Sequence, residues 1–285
     1  MKLGSLDISS IKIGSADVSK VYVGSNLVYS GDTPTPPTPS QNSVITYEAS
    51  AKLTEVTDDI GDGLHVNAFS GQSGQLTMTS HTFENGVGTI TFNGNITSIG
   101  FNAFISCEEL TSIVIPNSVT SIGESALSGC ISLTSCTIPS GVTSIGEAAF
   151  AYCESLESID IPSGVTSIGV DALSGCISLT SCTIGSGVTS IGVEAFMGCY
   201  SLTSIDIPSG VTSIGDYAFS FCESLESITV LAATPPTLGT EAFEDTNDCP
   251  IYVPAASVSA YQSAWSAYAS RIQAIHDVVE INYGD

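Results

Sequence analysis

Positive charge is almost missing from this chain of 285 residues, which has 5 Lys and Arg against 29 Asp and Glu and a formal net charge of −24. Lys2, Lys12 and Lys20 lie near its start, which leaves only Lys52 and Arg271 for the rest. A surface so poor in cations repels nucleic acids and anionic membranes, so we expect no nucleic-acid partner. The negative charge is explained by solubility, or by attraction of a cationic partner or of divalent ions.

Long apolar runs are also absent, since no stretch approaches the ~20 apolar residues of a membrane span. The opening residues Met1-Lys2-Leu3-Gly4 lead into polar, alternating sequence without the apolar region of a secretory signal. We therefore expect no membrane insertion and, if Met1 is the native start, no export by the usual route. This favours a protein assembled into a particle inside a cell over an ordinary surface adhesin.

Histidine is rare and scattered, at His65, His81 and His276, and no Cys-x-x-Cys or Cys/His cluster occurs. The sequence therefore predicts no catalytic constellation, no zinc site and no cofactor. The segment Asp58-Asp59-Ile60-Gly61-Asp62-Gly63 has a calcium-like composition without the spacing of a calcium loop, so a polar turn is predicted there.

Repetition is what the chain has in abundance. A 23-residue unit runs six times without insertion or deletion, starting at Ile96, Val119, Val142, Val165, Val188 and Val211. Each unit carries Thr-Ser-Ile-Gly, then an Ala-Phe or Ala-Leu pair, then a cysteine, and it closes on Leu-x-Ser-(Ile/Cys)-x-(Ile/Val). Self-similarity with a period of roughly 20–50 residues is typical of solenoids. Such repeats form long binding surfaces far more often than active sites.

A single unit has too few apolar side chains to offset the conformational entropy lost on ordering it, so neighbouring units must stack. The predicted inward side chains of the second unit are Val119, Ile122, Ala126, Leu127, Cys130, Leu133 and Ile138. The closing run predicts one strand and Val-Thr-Ser-Ile a second. The Ala-Phe segment is too short for a full helix and predicts one helical turn. The glycine after the second strand is expected to adopt a backbone shape that other residues resist.

The repeated sequence resembles the BspA-type (Treponema pallidum-type) leucine-rich repeat over residues 96–230. Ile45–Ala49 with Gly88–Phe92 resemble the amino-terminal cap of that family, and Ala233–Pro236, Leu238-Gly239 and Ile251–Pro254 resemble its degenerate last unit. The resemblance implies an α/β-type repeat solenoid, mostly β and coiled right-handed. We expect one parallel sheet that runs unbroken through all six units. It also implies surface adhesion and recognition of proteins or glycans, without catalysis.

The C-terminal segment shows a stripe of apolar residues at alternating steps of three and four. Its members are Val258, Tyr261, Trp265, Tyr268, Ile272 and Ile275. This spacing predicts an amphipathic helix. Because an uncovered sheet edge invites aggregation, we expect the helix to cap the open end of the solenoid. A partner-binding helix is the alternative.

The first thirty residues contain a smaller repeat, with Gly-Ser at 4–5, 14–15 and 24–25 and alternating segments such as Val21-Tyr22-Val23. They predict short hairpins with too small a core to stand alone, and they resemble segments of bacteriophage and prophage structural proteins. The predicted domains are an anchoring module (1–30), a Pro/Thr-rich linker (31–42), a β cap (43–95), six repeats (96–230) and a degenerate repeat with its capping helix (231–285).

Nine cysteines invite a disulfide interpretation, but six of them take one repeated position: Cys107, Cys130, Cys153, Cys176, Cys199 and Cys222. Cys136 and Cys182 stand where other units have isoleucine, and Cys249 lies off the repeated position. Repeated inward positions predict small buried thiols. The odd total and assembly in the cytosol argue against disulfides.

Two surfaces are candidate binding sites. The first is the strand face, formed by Thr134, Ser135, Thr137, Glu157, Ser158, Asp160, Thr180, Ser181, Thr183, Thr203, Ser204 and Asp206. Its hydroxyls and carboxylates suit solubility or polar ligands such as glycans and lack the Trp, Tyr and Arg anchors of protein hot spots. The second is a variable aromatic edge beside the cysteines, formed by Phe101, Tyr152, Met197, Tyr200, Tyr217 and Phe221. Tolerated surface variation explains these residues equally well.

The sequence therefore predicts a non-enzymatic display protein, in which the solenoid recognises a host-surface glycan or protein. Residues 1–30 attach it to a virion structural protein or to copies of itself, as a homotrimer. The leading interpretation is a phage or prophage fibre or decoration protein that is assembled in the host cytoplasm and located in the virion. A bacterial or protist cell-surface adhesin and a structural spacer without ligand are the alternatives.

Overall fold

The computed structural model describes residues 41–56, 64–65, 68–71 and 74–275, together with the backbone of four short strands before residue 31. The chain divides into two compact units, Met1–Ser40 and Gln41–Asp285. The Gly-Ser pairs of the ten-residue repeat, the Asp58–Gly63 segment and His276 lie outside the described residues.

The first unit contains two short antiparallel hairpins. Lys12–Ile13 pairs with Ala16–Asp17, and Lys20–Val23 pairs with Asn26–Ser30. The alternating sequence predicted hairpins of this kind, because apolar and polar residues that alternate occupy opposite faces of a strand.

The second unit is a solenoid in which every 23-residue repeat contributes one strand to each of two sheets. The strands of the first sheet within the repeats are Leu110–Val114, Ser135–Thr137, Ser158–Ile161, Ser181–Ile184, Ser204–Ile207 and Ser227–Val230. Those of the second are Ser98–Ile99, Ser121–Ile122, Ser144–Ile145, Ser167–Ile168, Ser190–Ile191, Ser213–Ile214 and Thr237–Leu238. Neighbouring repeats pair in parallel, as Ser158 does with Ser181. The seven inward side chains predicted for the second repeat are all buried, which confirms the register.

The second sheet runs in parallel and without interruption through all six repeats, as was predicted for one sheet, but the first sheet does not. Pairing in the first sheet stops between Ser181–Ile184 and Ser204–Ile207, and two repeats earlier it narrows to the single pair Ser135 and Ser158. In both places the strand before the weakly paired interface has a cysteine, Cys136 or Cys182, where other repeats have isoleucine. The smaller thiol buries less apolar area than isoleucine, which weakens the support beneath these two strands.

The segment around each Ala-Phe pair is not helical, and the predicted helical turn is wrong. In every turn the residue before the alanine has a positive φ: Asn102, Ser125, Ala148, Asp171, Glu194, Tyr217 and Glu241. A second such residue comes four positions later, at Ser106, Gly129, Tyr152, Gly175, Gly198, Phe221 and Asp245. Left-handed residues at this spacing prevent a helix. The N–H groups of alternate residues instead donate to the next turn, as from Phe104 to the carbonyl of Ala126 at 2.7 Å.

The glycines that follow the second-sheet strands form a column, but not for the predicted reason. The left-handed φ values of the chain fall on other residues. A Cβ atom added to Gly146 would lie 2.6 Å from the carbonyl carbon of Gly123 and 2.6 Å from the nitrogen of Glu124. Backbone of the preceding turn therefore occupies the space of a side chain, and close approach requires glycine here.

The core beneath the turns is a column of rings and thiols. Phe104, Phe150, Phe196, Phe219 and Phe243 are fully buried, with Leu127 and Leu173 completing the column. Five of the repeated thiols, from Cys130 to Cys222, donate to a carbonyl oxygen of the preceding turn, as Cys130 does to Phe104 at 3.1 Å and Cys222 to Phe196 at 3.2 Å. The six repeated thiols are buried, as predicted, and all nine cysteines are free.

Cys249 has a definite place in the seventh turn. Thr246 occupies the repeated cysteine position, three residues after Phe243. The N–H of Cys249 donates to the carbonyl of Thr246 at 3.2 Å, as the N–H of Leu225 does to that of Cys222 at 3.1 Å. Cys249 therefore fills the leucine position, and the threonine hid this register in the sequence.

The N-terminal end of the solenoid is covered by an antiparallel extension of the first sheet. Val44–Ala49 pairs with Leu110–Val114 on one side and with Val87–Phe92 on the other, and Met78–Glu84 forms the edge. Shorter elements complete this end: the 3-10 turn Gln41–Ser43 and the strands Glu55–Val56, Leu64–His65, Phe69–Gly71 and Gly74–Gln75.

The helix of the C-terminal cap is shorter than the stripe of apolar residues predicted. After the strand Ile251–Val253 and the 3-10 turn Ala255–Ser257, helix Val258–Ala264 is followed by a 3-10 segment, Ser266–Arg271, and a strand, Ile272–Ala274. The stripe still faces inward, since Tyr261, Trp265 and Ile272 are buried. Ile272–Ala274 pairs in parallel with Ile251–Val253 and so covers the edge of the first sheet, which a continued helix would leave exposed.

Candidate functional site

All twelve residues predicted for the strand face are exposed. Three of its threonine hydroxyls donate hydrogen bonds to backbone carbonyls of the preceding turn. Thr134 donates to Thr111 at 3.1 Å, Thr180 donates to Glu157 at 3.0 Å, and Thr203 donates to Thr180 at 3.3 Å. These hydroxyls stabilise the stacking of turns, and their protons are already donated. The face is therefore polar, and part of its hydrogen-bonding capacity is used internally.

The six residues of the predicted aromatic edge do not form one surface. Phe101, Tyr152, Tyr200 and Phe221 are exposed, whereas Met197 and Tyr217 are half-buried. They occupy five different positions of the repeat, and only Tyr152, Tyr200 and Phe221 lie directly beside a cysteine. The prediction therefore contains part of a surface and several residues that do not belong to it.

A continuous surface appears when two exposed isoleucines beside cysteines are added. Five consecutive turns each present one exposed apolar side chain directly before or after the cysteine, and we call this set the apolar ridge. Its members, with their exposed fractions, are Ile131 (36%), Tyr152 (57%), Ile177 (39%), Tyr200 (46%) and Phe221 (41%). At ~4.8 Å per turn the ridge is roughly 19 Å long. Sequence reasoning missed the isoleucines because they follow cysteines in two nearly identical units.

The two positions of the ridge are complementary. Where glycine precedes the cysteine, as at Gly129, Gly175 and Gly198, an apolar residue follows it. Where an aromatic residue precedes the cysteine, glutamate follows it: Glu154 after Tyr152 in the third turn and Glu223 after Phe221 in the sixth. Each of these five turns thus exposes a single apolar group directly beside its cysteine.

Tyr152 and Phe221 occupy strained backbone. Their φ values are 59° and 60°, a region in which bulky residues are genuine outliers that cost ~1–2 kcal/mol. Hydrogen bonds between turns hold this conformation, from the Tyr152 N–H to Ser174 O at 2.7 Å and from the Phe221 N–H to Glu244 O at 3.0 Å. A Cβ atom on Gly175 would lie 2.6 Å from Cδ1 of Tyr152, so the ring extends over the glycine of the next turn.

Negative charge surrounds the ridge. Glu154 and Glu223 are exposed beside it, and residues 53–270 contain no lysine or arginine. Two further carboxylates, Asp171 and Glu194, stand at the same repeat position in adjacent turns. Burial, the charge of Asp171 and their shared hydrogen bond all raise the pKa of Glu194. The acidic groups are thus close enough to disfavour each other's ionisation, as expected where no cation neutralises them.

A cavity of about 350 Å³ lies at the N-terminal end of the first sheet. Its lining is neutral and consists of Gln41, Asn42, Val44, Thr46, Val114, Ile115, Pro116 and Asn117. Val114 pairs with Thr137 of the strand face and is 62% exposed. The cavity was not predicted because it lies between the cap and the first repeat, which are distant in sequence.

The structure also brings together four polar side chains that sequence reasoning treated as scattered. The hydroxyl of Tyr47 lies 2.7 Å from Nε2 of His81, and Nδ1 of His81 lies 2.7 Å from a Glu55 carboxylate oxygen. Lys52 contacts the same oxygen at 3.2 Å. The order resembles a proton relay, but Tyr47 is 1% exposed and also accepts the Leu53 N–H at 3.3 Å. A buried, fully bonded hydroxyl is unavailable to a substrate, so this cluster stabilises the cap.

Within the described part of the chain, no group of three or more His, Cys, Asp or Glu side chains is arranged to hold a metal ion. Among the same residues, no helix has both the length and the apolar character needed to cross a membrane.

Comparison with known proteins gives one family and several structural relatives. The model of the BspA type leucine-rich repeat region matches residues 76–203 and 189–281. No curated protein matches the chain. A leucine-rich repeat protein of T. pallidum is similar in structure with a TM-score of 0.53 and 28% sequence identity, over 64% of this chain and 80% of that one. A leucine-rich cell surface protein of Faecalibacterium prausnitzii is 33% identical over 56% of this chain and 47% of that protein, with a TM-score of 0.41.

Proposed function

Because the chain belongs to the BspA-type leucine-rich repeat family, we propose that it is a non-enzymatic adhesion protein whose solenoid recognises a partner on another surface. The apolar ridge carries this proposal. An apolar side chain is exposed beside the cysteine position in each of five consecutive turns, on a chain whose net charge is strongly negative. Exposed apolar groups that recur along one line are typical of interaction sites, whereas single ones are normal anywhere.

Binding of the full-length chain to arrays of host glycans and host-surface proteins tests this function. We expect saturable binding to at least one class of ligand, which an excess of unlabelled protein displaces. Absence of saturable binding to both arrays and to whole cells would favour the structural-spacer alternative.

We also propose where the solenoid is displayed, and the leading proposal is the virion. The supporting observation is the pair of hairpins formed by Lys12–Asp17 and Lys20–Ser30, in a segment whose sequence resembles bacteriophage structural proteins. In this proposal the segment attaches the chain to a virion structural protein or to copies of itself, and the protein is a fibre or decoration component. An antibody against the chain should then detect it in purified virions. Detection on intact bacterial cells and absence from virions would support the cell-surface adhesin.

A further inference from the structure

We infer that the apolar ridge binds a cationic polypeptide segment that presents apolar side chains, an inference that rests on the adhesion function proposed above. The ridge consists of Ile131, Tyr152, Ile177, Tyr200 and Phe221. It is distinct from the strand face, whose hydroxyls and carboxylates are its main groups.

Strain is the first argument that the ridge is functional. Three turns carry glycine at the position that Tyr152 and Phe221 occupy, namely Gly129, Gly175 and Gly198, and glycine takes a positive φ without penalty. The fold is therefore satisfied by glycine there. Tyr152 is 57% exposed and Phe221 41%, so neither ring belongs to the core. Strain that the fold does not need is typical of functional sites.

Continuity is the second argument. The apolar residue alternates between two positions of the repeat, yet none of the five turns lacks one. The turns on either side carry only polar residues at these positions: Ser106 and Glu108 before the ridge, and Asp245 and Asn247 after it. The ridge thus covers five consecutive turns and ends at the turns next to the two caps, as expected of a contact surface with defined limits.

Charge determines the class of partner. Glu154 and Glu223 flank the ridge in the turns of Tyr152 and Phe221, and Asp171 and Glu194 add negative charge in the turns of Ile177 and Tyr200. The nearest lysine in the sequence, Lys52, contacts Glu55 at 3.2 Å, and Arg271 donates to groups of the C-terminal cap. A partner that buries the ridge must bring its own cations, because burial of unpaired carboxylates is unfavourable. Anionic glycans and acidic proteins are repelled.

Fluorescence anisotropy with the full-length chain tests this inference. The probe is a labelled peptide of lysine and leucine, compared with an analogue in which glutamate replaces every lysine. The decisive variant is Tyr152→Gly with Phe221→Gly, which removes two of the three rings of the ridge without changing the charge of the protein. The matched control is Ser106→Gly, which makes the same backbone change at the same repeat position one turn before the ridge begins.

We expect the lysine peptide to bind, more weakly as salt is raised, and the glutamate peptide not to bind. The double variant should lose at least about tenfold in affinity, because aromatic anchors dominate such contacts, and it should melt at a higher temperature than the wild type. The control should also melt higher and keep its full affinity.

Three results would overturn the inference. Unchanged affinity in the double variant would mean that the peptide is held by charge alone. Equal binding of the two peptides would exclude the proposed partner class. A lower melting temperature of the double variant would show that the rings serve the fold. Each of these results is compatible with saturable ligand binding at another face, so the adhesion function is tested separately by the arrays.

Discussion

The guanidinium of Arg271 donates to the carbonyl oxygen of Phe243 at 3.2 Å, where the next turn of the solenoid would supply a thiol. In earlier turns the equivalent carbonyl accepts a cysteine of the following repeat, as Phe196 accepts Cys222. Arg271 also donates to the carbonyl of Cys249 and to Oγ1 of Thr246, each at 2.8 Å. The single arginine of the chain thus supplies donors to the last turn, where the Thr246 hydroxyl also donates to the Phe243 carbonyl at 2.8 Å.

Removal of this arginine should therefore destabilise the C-terminal end. Arg271→Met removes the side-chain donor to the Cys249 carbonyl and one of the two side-chain donors to the Phe243 carbonyl, and we expect the free energy of unfolding to fall by about 1–3 kcal/mol. Chemical denaturation followed by circular dichroism measures the change. Lys52→Met is the control, because its ion pair with Glu55 is exposed and should contribute less than about 0.5 kcal/mol. Equal effects of the two substitutions would contradict the capping role.

Two glycines of one repeat should differ sharply in their tolerance of alanine. A Cβ atom on Gly146 meets backbone atoms at 2.6 Å, whereas the nearest atom to a Cβ on Gly141 is 3.5 Å away. Gly146→Ala should lower the free energy of unfolding by roughly 3 kcal/mol, because backbone of the preceding turn cannot move aside. Gly141→Ala should change it by less than about 1 kcal/mol. Similar midpoints in urea for both variants would refute the close-approach explanation.

The cap cluster should make stability depend on pH near neutrality. Burial lowers the pKa of His81 below its ordinary 6.5, against the opposing effect of the hydrogen bond to Glu55. The unfolded chain therefore takes up this proton at higher pH than the folded chain does. Stability is fully present above pH 6.5 and falls as the pH drops below it, by at most ~1.4 kcal/mol per pH unit. His81→Gln should flatten this dependence between pH 7 and 5.5, and parallel curves for the two proteins would contradict it.

The buried thiols should be almost inert in the native state. Burial raises the pKa of Cys130, Cys136 and Cys176 to about 12, so at pH 8 only about one thiol in ten thousand is the reactive thiolate. Mass spectrometry after treatment with a maleimide should find these residues unlabelled. All nine cysteines should react in guanidinium chloride. Rapid native labelling at the repeated position would show that the turns open.

Deletion of residues 1–40 tests the proposed anchor. This segment forms its own compact unit, so its removal leaves the solenoid intact. We expect residues 41–285 to be a stable monomer and the full chain to be larger, a homotrimer in the leading proposal. Analytical ultracentrifugation compares the two, and an unchanged oligomeric state after deletion would place the contact on the solenoid.

The sequence predicted most of the fold because the same position is buried in every turn. Because the period is fixed, Val119 and its equivalents lie in the core of every turn, independently of the local backbone conformation. Burial of their apolar area stabilises this arrangement. The helical turn was predicted wrongly because Ala148 and Tyr217 adopt left-handed conformations that their types do not indicate. Inter-turn hydrogen bonds impose that backbone, and such bonds depend on the neighbouring turn rather than on the local residues.

The C-terminal cap and the ridge show two further limits. A stripe with helical period fits one continuous helix or a short helix followed by a strand, and the unpaired edge at Ile251–Val253 selects the second. Ile131 and Ile177 look like repeat residues because their two units are nearly identical in sequence. Each follows a left-handed glycine by two residues, Gly129 or Gly175. Only the three-dimensional arrangement shows that they continue a line of rings.

The interruption of the first sheet has a mechanical consequence. The hydrogen bonds of both sheets join one turn to the next, so a force applied to the two ends of the solenoid loads the interfaces between turns in series. The interface between Ser181–Ile184 and Ser204–Ile207 lacks the strand pairing of its neighbours and is expected to separate first. An adhesion protein under tension would then extend at one defined point. Tyr152 and Phe221 of the ridge lie on opposite sides of that point, so stretching would break the contact surface before the caps unfold.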